Sequence, residues 1–280
     1  MLRFSLLAVL LMGFSGLAMA QSQGTFQQID YPGAAATVIN GIDTGNDLCG
    51  WYQDTSGVVH GWILKGPNYY TVNYPGASST QLTGMNDYGK LVGVATPNGG
   101  FEYDQTSRTY TAINYPGATY THPASINNSG EVAGYYGTAA GTFGFTLSGS
   151  TYTRIVPKGA TDVQVNGVSY YGQLSGWVYT QSTNSYNNFI YSNGAYQHQA
   201  LPPNVVVNGI DQSGDDLVGF YPSHSGSYVG FTYFRGTLTG LEFPGATYTI
   251  ANATDEGDEV AGYFADAGGV LHGFTWSCCK

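Results

Sequence analysis

The sequence predicts an all-β protein: a six-bladed β-propeller of four-stranded blades, its ring closed by an N-terminal strand that pairs in the last blade. Three observations predict it. Of 280 residues 41 are Gly, 24 Tyr and 13 Phe, while charged residues make up only 9%. Such a chain is too aromatic and too weakly charged for disorder, and it favours strands joined by tight turns. A unit of about 42 residues recurs six times. The last copy lacks one strand, and the start of the chain supplies it.

The repeat is carried by three markers. Tyr-Pro-Gly-Ala occurs at Tyr31, Tyr74 and Tyr115, returns as Phe243-Pro244-Gly245-Ala246, and persists in altered form at Pro157 and Pro202. A Gly followed by a usually aromatic pair stands at Gly50-Trp51, Gly93-Val94, Gly134-Tyr135, Gly176-Trp177, Gly219-Phe220 and Gly262-Tyr263. A further aromatic follows about ten residues later: Trp62, Phe101, Phe145, Phe189, Phe231 and Phe274. In the third copy, turn signals bound four runs, residues 119–127, 132–138, 142–148 and 151–156. Four short strands per unit of this length is the pattern of a propeller blade.

The chain end separates a closed ring from an open array. The sixth copy stops after three strands, and its fourth matches Phe26-Gln27-Gln28-Ile29-Asp30-Tyr31-Pro32, which resembles residues 110–116 and 238–244. Pairing the two termini in one blade leaves no uncapped sheet edge at the seam.

The phrases Ser125-Ile126-Asn127-Asn128-Ser129-Gly130 and Gly134-Tyr135-Tyr136, with His60-Gly61-Trp62 and His272-Gly273-Phe274, resemble those of the HAF-type extracellular repeat proteins of bacteria. The resemblance covers about residues 24–277; Gly stands where that family's His-Ala-Phe phrase has Ala, and four copies lack the His. It implies an exported repeat protein and carries no activity.

Residues 1–20 read as a signal peptide cleaved after Ala20: Arg3 precedes an apolar run from Leu6 to Met12, and Ala18-Met19-Ala20 has the small-x-small pattern. Residues 21–280 are then one propeller domain, secreted or periplasmic, with no membrane span and expected as a monomer. With 18 acidic against 8 basic residues and a formal charge of −10, the chain lacks the cationic surface that nucleic acids require.

Candidate chemistry is sparse. His60 and His272 share a repeat position on blades made neighbours by ring closure, but a metal needs a third ligand, so a structural hydrogen-bonding role is expected. His122, His198 and His224 fall at unrelated positions and read as surface or turn residues. No Gly-x-Ser-x-Gly elbow is present. The first strands carry Asn40, Asn166, Asn208 and Asn252 at one position, with Thr83 and Ala124 in the other copies. These channel amides either tie blade to blade or hold a sugar or water cluster. The next polar position, Asp43, Asn86, Asn127, Ser169, Asp211 and Asp255, is expected to fix the following turn. The aromatics of second and third strands are expected in the core.

Eleven carboxylates fall in the turns between first and second strands: Asp43, Asp47, Asp87, Glu131, Asp211, Asp215, Asp216, Asp255, Glu256, Asp258 and Glu259. They predict an acidic centre on one face inside a rim carrying Lys65, Arg108, Arg235 and Lys280. Solubility explains such charge; weak Ca²⁺ binding is the functional alternative. No other cofactor is expected. Of the three Cys residues, Cys49 is expected to bridge Cys278 or Cys279, with a Cys278–Cys279 bridge or three free thiols as the competing readings. The leading functional expectation is an exported binding scaffold for a glycan or protein. A channel hydrolase or lyase acting on carbohydrate is the alternative, and an adhesive role at the cell surface a third.

Overall fold

Each repeat folds where its turn residues dictate. A computed structural model describes residues 20–21, 24–181, 185–197, 201, 205–223, 226–256 and 259–278. In the third repeat the strands are Tyr120–Ile126, Val132–Thr138, Gly141–Ser148 and Thr151–Ile155, paired antiparallel in sequence order. Among the described residues the chain forms six such four-stranded sheets, and Ala20–Gln21 adds a short parallel strand to the outer edge of the fifth. The fold is a six-bladed β-propeller.

The Tyr-Pro-Gly-Ala phrase joins one blade to the next. Pro32 presets the second position of the turn, Gly33 takes the positive φ of 77° at the third, and Ala34 N–H donates to Tyr31 C=O at 3.1 Å, a type II turn. Ala77, Ala118, Ala160 and Ala246 repeat that bond. The Tyr31 N–H donates to Thr37 Oγ1 at 3.0 Å, and the Tyr31 ring stacks on Tyr52 at 3.7 Å, so the connection is bonded and packed at once. Tyr115 on Tyr136 and Phe243 on Phe264 repeat the stack. The third-strand aromatics Trp62, Phe101, Phe145, Phe231 and Phe274 are fully buried between blades, as expected of a core marker.

The ring is closed by the N-terminal strand. Thr25–Ile29 pairs antiparallel with Leu271–Ser277, from Thr25 opposite Ser277 to Ile29 opposite Gly273. Phe26 meets Phe243 and Phe274 edge-on at 5.3 and 5.5 Å. Across the seam Ile39 and Trp62 of blade one pack with Ala261 of blade six.

Among the described residues the expected cysteine staple is not formed. Cys49 and Cys278 are both free, and Cys279 lies outside the described residues. The reason is strand alternation: Cys49 stands opposite Gly41 and shares a buried cluster with Leu82, Met85 and Leu91, so its thiol faces blade two. The last strand belongs to blade six, which packs on the other side of blade one. Burial pushes the Cys49 thiol far above its usual pKa, which leaves it an inert core residue.

Candidate functional site

Every first strand carries a bulge. One residue per blade, Asn40, Thr83, Ala124, Asn166, Asn208 or Asn252, has no partner in the second strand, and the register resumes beyond it. A bulge re-aims its extra side chain, and here it points to the channel edge of the next blade. Asn40 Nδ2 donates to Leu82 C=O at 2.8 Å, Asn166 to Val207 at 2.9 Å, Asn208 to Ala251 at 3.0 Å and Asn252 to Ile39 at 2.9 Å. Thr83 Oγ1 does the same to Pro123 at 2.7 Å. The amides therefore tie blade to blade, including across the seam, and they also line the channel.

The channel holds a cavity of about 460 Å³. Its wall includes these amides with Gln81, Gln164 and His122 of the first strands and Trp51, Tyr135, Trp177 and Phe220 of the second. Tyr263 joins Trp51 and Phe220 in an adjoining recess. Here the expectation of core aromatics is corrected. The residue after each marker Gly is half-buried, and all but Val94 line the channel or its recess, because that Gly sits beside the bulge and lets the second strand close onto the first. The missed signal is alternation itself: of each aromatic pair only the second member, such as Tyr52 or Tyr136, faces the blade interface.

His122 also differs from its expected surface place. It lies in the first strand of blade three, lines the channel and stacks on Tyr135 with ring centres 4.6 Å apart. Burial pushes its pKa down to about 4, so the ring is neutral at ordinary pH. An unfolded His titrates near 6.5, so between pH 6.5 and 4 the unfolded chain binds the proton first. The folded state is fully favoured above that window and loses stability as pH falls through it. His122→Gln, the residue already at positions 81 and 164, should remove this part of the pH dependence of melting. An unchanged slope would contradict a neutral, desolvated ring.

On the acidic face the turn carboxylates work locally. Asp43 accepts from the Gly45 and Asp47 N–H groups, both at 2.9 Å, and Asp211 from Gly214, Asp215 and Asp216. Asn86, Asn127, Ser169 and Asp255 cap their turns in the same way, as expected. Asp47 pairs with Lys65 at 2.8 Å, joining the acidic centre to its basic rim. Desolvation, with the charges of Asp47 and Asp87 nearby, raises the pKa of Asp43. Asp216 and Asp255 are buried, Glu259 is partly buried, and Asp215 and Glu256 are exposed; Asp258 lies outside the described residues. Among the described residues no three His, Cys, Asp or Glu side chains converge as a metal site.

His60 and His272 have the structural role expected. His60 Nε2 is 3.1 Å from Asp54, and the ring stacks on Tyr52; His272 Nδ1 is 2.9 Å from Asp30. Hydrogen bonds from Ser56 and His60 hold the Asp54 carboxyl well below the usual range. His198 and His224 lie outside the described residues.

No family model and no curated protein matches the sequence. The fold is similar to solved propellers. The β-propeller domain of the Trilobed protease from Pyrococcus furiosus matches at 12% identity and TM-score 0.57, over 86% of this chain and 81% of that one. The Aleuria aurantia lectin, solved in complex with Fucα1-6GlcNAc, matches at 12% and 0.54, over 88% and 95%. TolB from Acinetobacter baumannii matches at 12% and 0.56, over 82% of this chain, which spans 63% of TolB's length. At such identity the likeness concerns the fold.

Proposed function

We propose that the chain is an exported binding scaffold that holds a neutral glycan in its central channel. The chemistry of the channel wall carries this reading. Primary amides offer donors and acceptors that suit hydroxyl groups, and indole and phenol faces suit the C–H faces of sugar rings. The one imidazole among the described lining residues is held neutral. Such a wall favours an uncharged polar ligand, because an ion there would lose hydration without a compensating charge. Cleavage of a glycoside by the usual pair of carboxylates has no support here, since the described lining residues contain neither Asp nor Glu. The leader pattern around Arg3 and Ala20 and the resemblance to HAF-type proteins support export. A secreted product whose mass begins at Gln21 would agree with it.

A glycan array tests the binding. Glycans retained by the wild type should lose about tenfold in affinity with Trp51→Ala or Trp177→Ala, equivalent to 1.4 kcal/mol of stacking. Asp215→Asn combined with Glu256→Gln, on the acidic face, should leave them bound. The opposite pattern would move the site to that face.

A further inference from the structure

The two mouths of the channel differ. On the face of the acidic turns, neighbouring loops are laced together. Thr44 N–H donates to Asp87 Oδ1 at 3.0 Å, and Asp87 and Asn128 exchange two bonds, Asp87 N–H to Asn128 Oδ1 at 3.0 Å and Asn128 Nδ2 to Asp87 Oδ2 at 2.6 Å. Asn128 N–H then donates to Gln212 Oε1 at 3.1 Å. These two residues belong to blades three and five, so the Gln212 side chain passes over the sector of blade four between them. Its own carbonyl accepts from Tyr170 N–H of blade four at 2.9 Å, and the residue lines the cavity from this end. Gln212 is therefore held at both backbone and side chain, as a bar at the mouth.

Among the described residues the opposite mouth carries aromatic rings, with cross-blade bonds from Thr142 N–H to Asp162 Oδ1 at 3.0 Å and from Ser227 Oγ to Thr247 C=O. Tyr120 and Tyr228 are each 47% exposed there. Tyr228 meets Phe220 edge-on at 5.2 Å, and Tyr248 meets Tyr263 at 6.2 Å, which extends the aromatic wall of the channel outward to solvent. A sugar chain approaching this rim has stacking surfaces from the outside inward and a hydrogen-bonding stop at the far end.

We infer that the channel receives the free end of a saccharide chain through the Tyr120/Tyr228 mouth, and that Gln212 sets how far the end can enter. The inference rests on the reading of the channel as a glycan site. A site open at both mouths would accept internal segments threaded through it; a barred one selects termini. Gln212 is in this sense a specificity-determining residue, since its amide faces the terminal ring, whereas the aromatic rim contacts the units behind it.

The test is an array in which each linear oligosaccharide is printed twice, attached once through its reducing end and once through its non-reducing end, alongside cyclic oligosaccharides that have no end. The wild type should retain a given chain in one attachment at least tenfold more strongly than in the other, and should not retain the cyclic compounds. Gln212→Ala should reduce that orientation ratio at least fivefold; if it does not fold, Gln212→Asn, one methylene shorter, gives the same readout. Equal retention in both attachments, or a ratio untouched by a folded Gln212 variant, overturns the end-on mode while leaving the channel a glycan site. Retention of no glycan overturns both.

Discussion

Removal of residues 21–31 should lower the melting temperature of the protein by about 10 °C. The deleted segment contains Thr25–Ile29, whose backbone completes the sixth sheet. Phe26 packs on Phe243 and Phe274, and Ile29 and Tyr31 belong to the cluster that joins blade six to blade one. Losing Phe26 and Ile29 from partly buried sites costs about 4–5 kcal/mol, and a chain of this size shifts by roughly 2 °C per kcal/mol. Loss of the strand also leaves Leu271–Ser277 as an open edge, with the aggregation that such edges invite. Calorimetry of the truncated and intact proteins decides the matter; coincident transitions would mean that the ring does not depend on its N-terminal strand.

The second large effect is expected at a single methyl group. Gly219 stands beside the bulge of blade five, and a Cβ there would lie 1.9 Å from the Val206 carbonyl oxygen and 2.9 Å from the Phe231 ring. The first is backbone of the innermost strand and cannot rotate away. Gly219→Ala must push the second strand off the first, disturbing both the Asn208 tie to Ala251 and the position of Phe220 in the channel wall. Overpacking of this kind costs about 3 kcal/mol. Gly50, with a Cβ site 2.0 Å from the Val38 oxygen, should behave alike. By contrast Gly66→Ala, in a turn where a Cβ meets nothing within 4 Å, should cost only the strain of a φ of +55°. Urea denaturation of the three variants orders them; an undisturbed Gly219→Ala protein would mean that the bulge is not shaped as described.

Much of the fold was legible because the repeat states each rule six times. The Tyr-Pro-Gly-Ala turn, the polar turn caps and the third-strand aromatics recur at fixed spacing, and each has a local physical cause. The bulge residues were also legible as amides that tie neighbouring blades. What the sequence did not disclose depends on where along a strand a residue stands as well as on which side it faces. Cys49 and Trp51, two residues apart, share one face of their strand, yet one is sealed against blade two and the other reaches the channel. His122 occupies the position of Gln81 and Gln164, an equivalence visible in the repeat once the bulge sets the register. The acidic turns stand out by charge, yet Asp43, Asp211 and Asp255 are engaged in the turns that hold them, and Asp87 bonds to neighbouring turns.

The central claim, that ligand enters the channel, is tested most directly by acrylamide quenching of tryptophan fluorescence. The chain has four Trp residues; Trp62 and Trp276 are 0% and 3% exposed in the core, and Trp51 and Trp177 line the channel. Quenching of the free protein should come from the channel pair, and saturation with a glycan retained on the array should bring it down toward the level of the core pair. A glycan that binds with full occupancy and leaves the quenching of Trp51 and Trp177 unchanged would place the site elsewhere on the propeller.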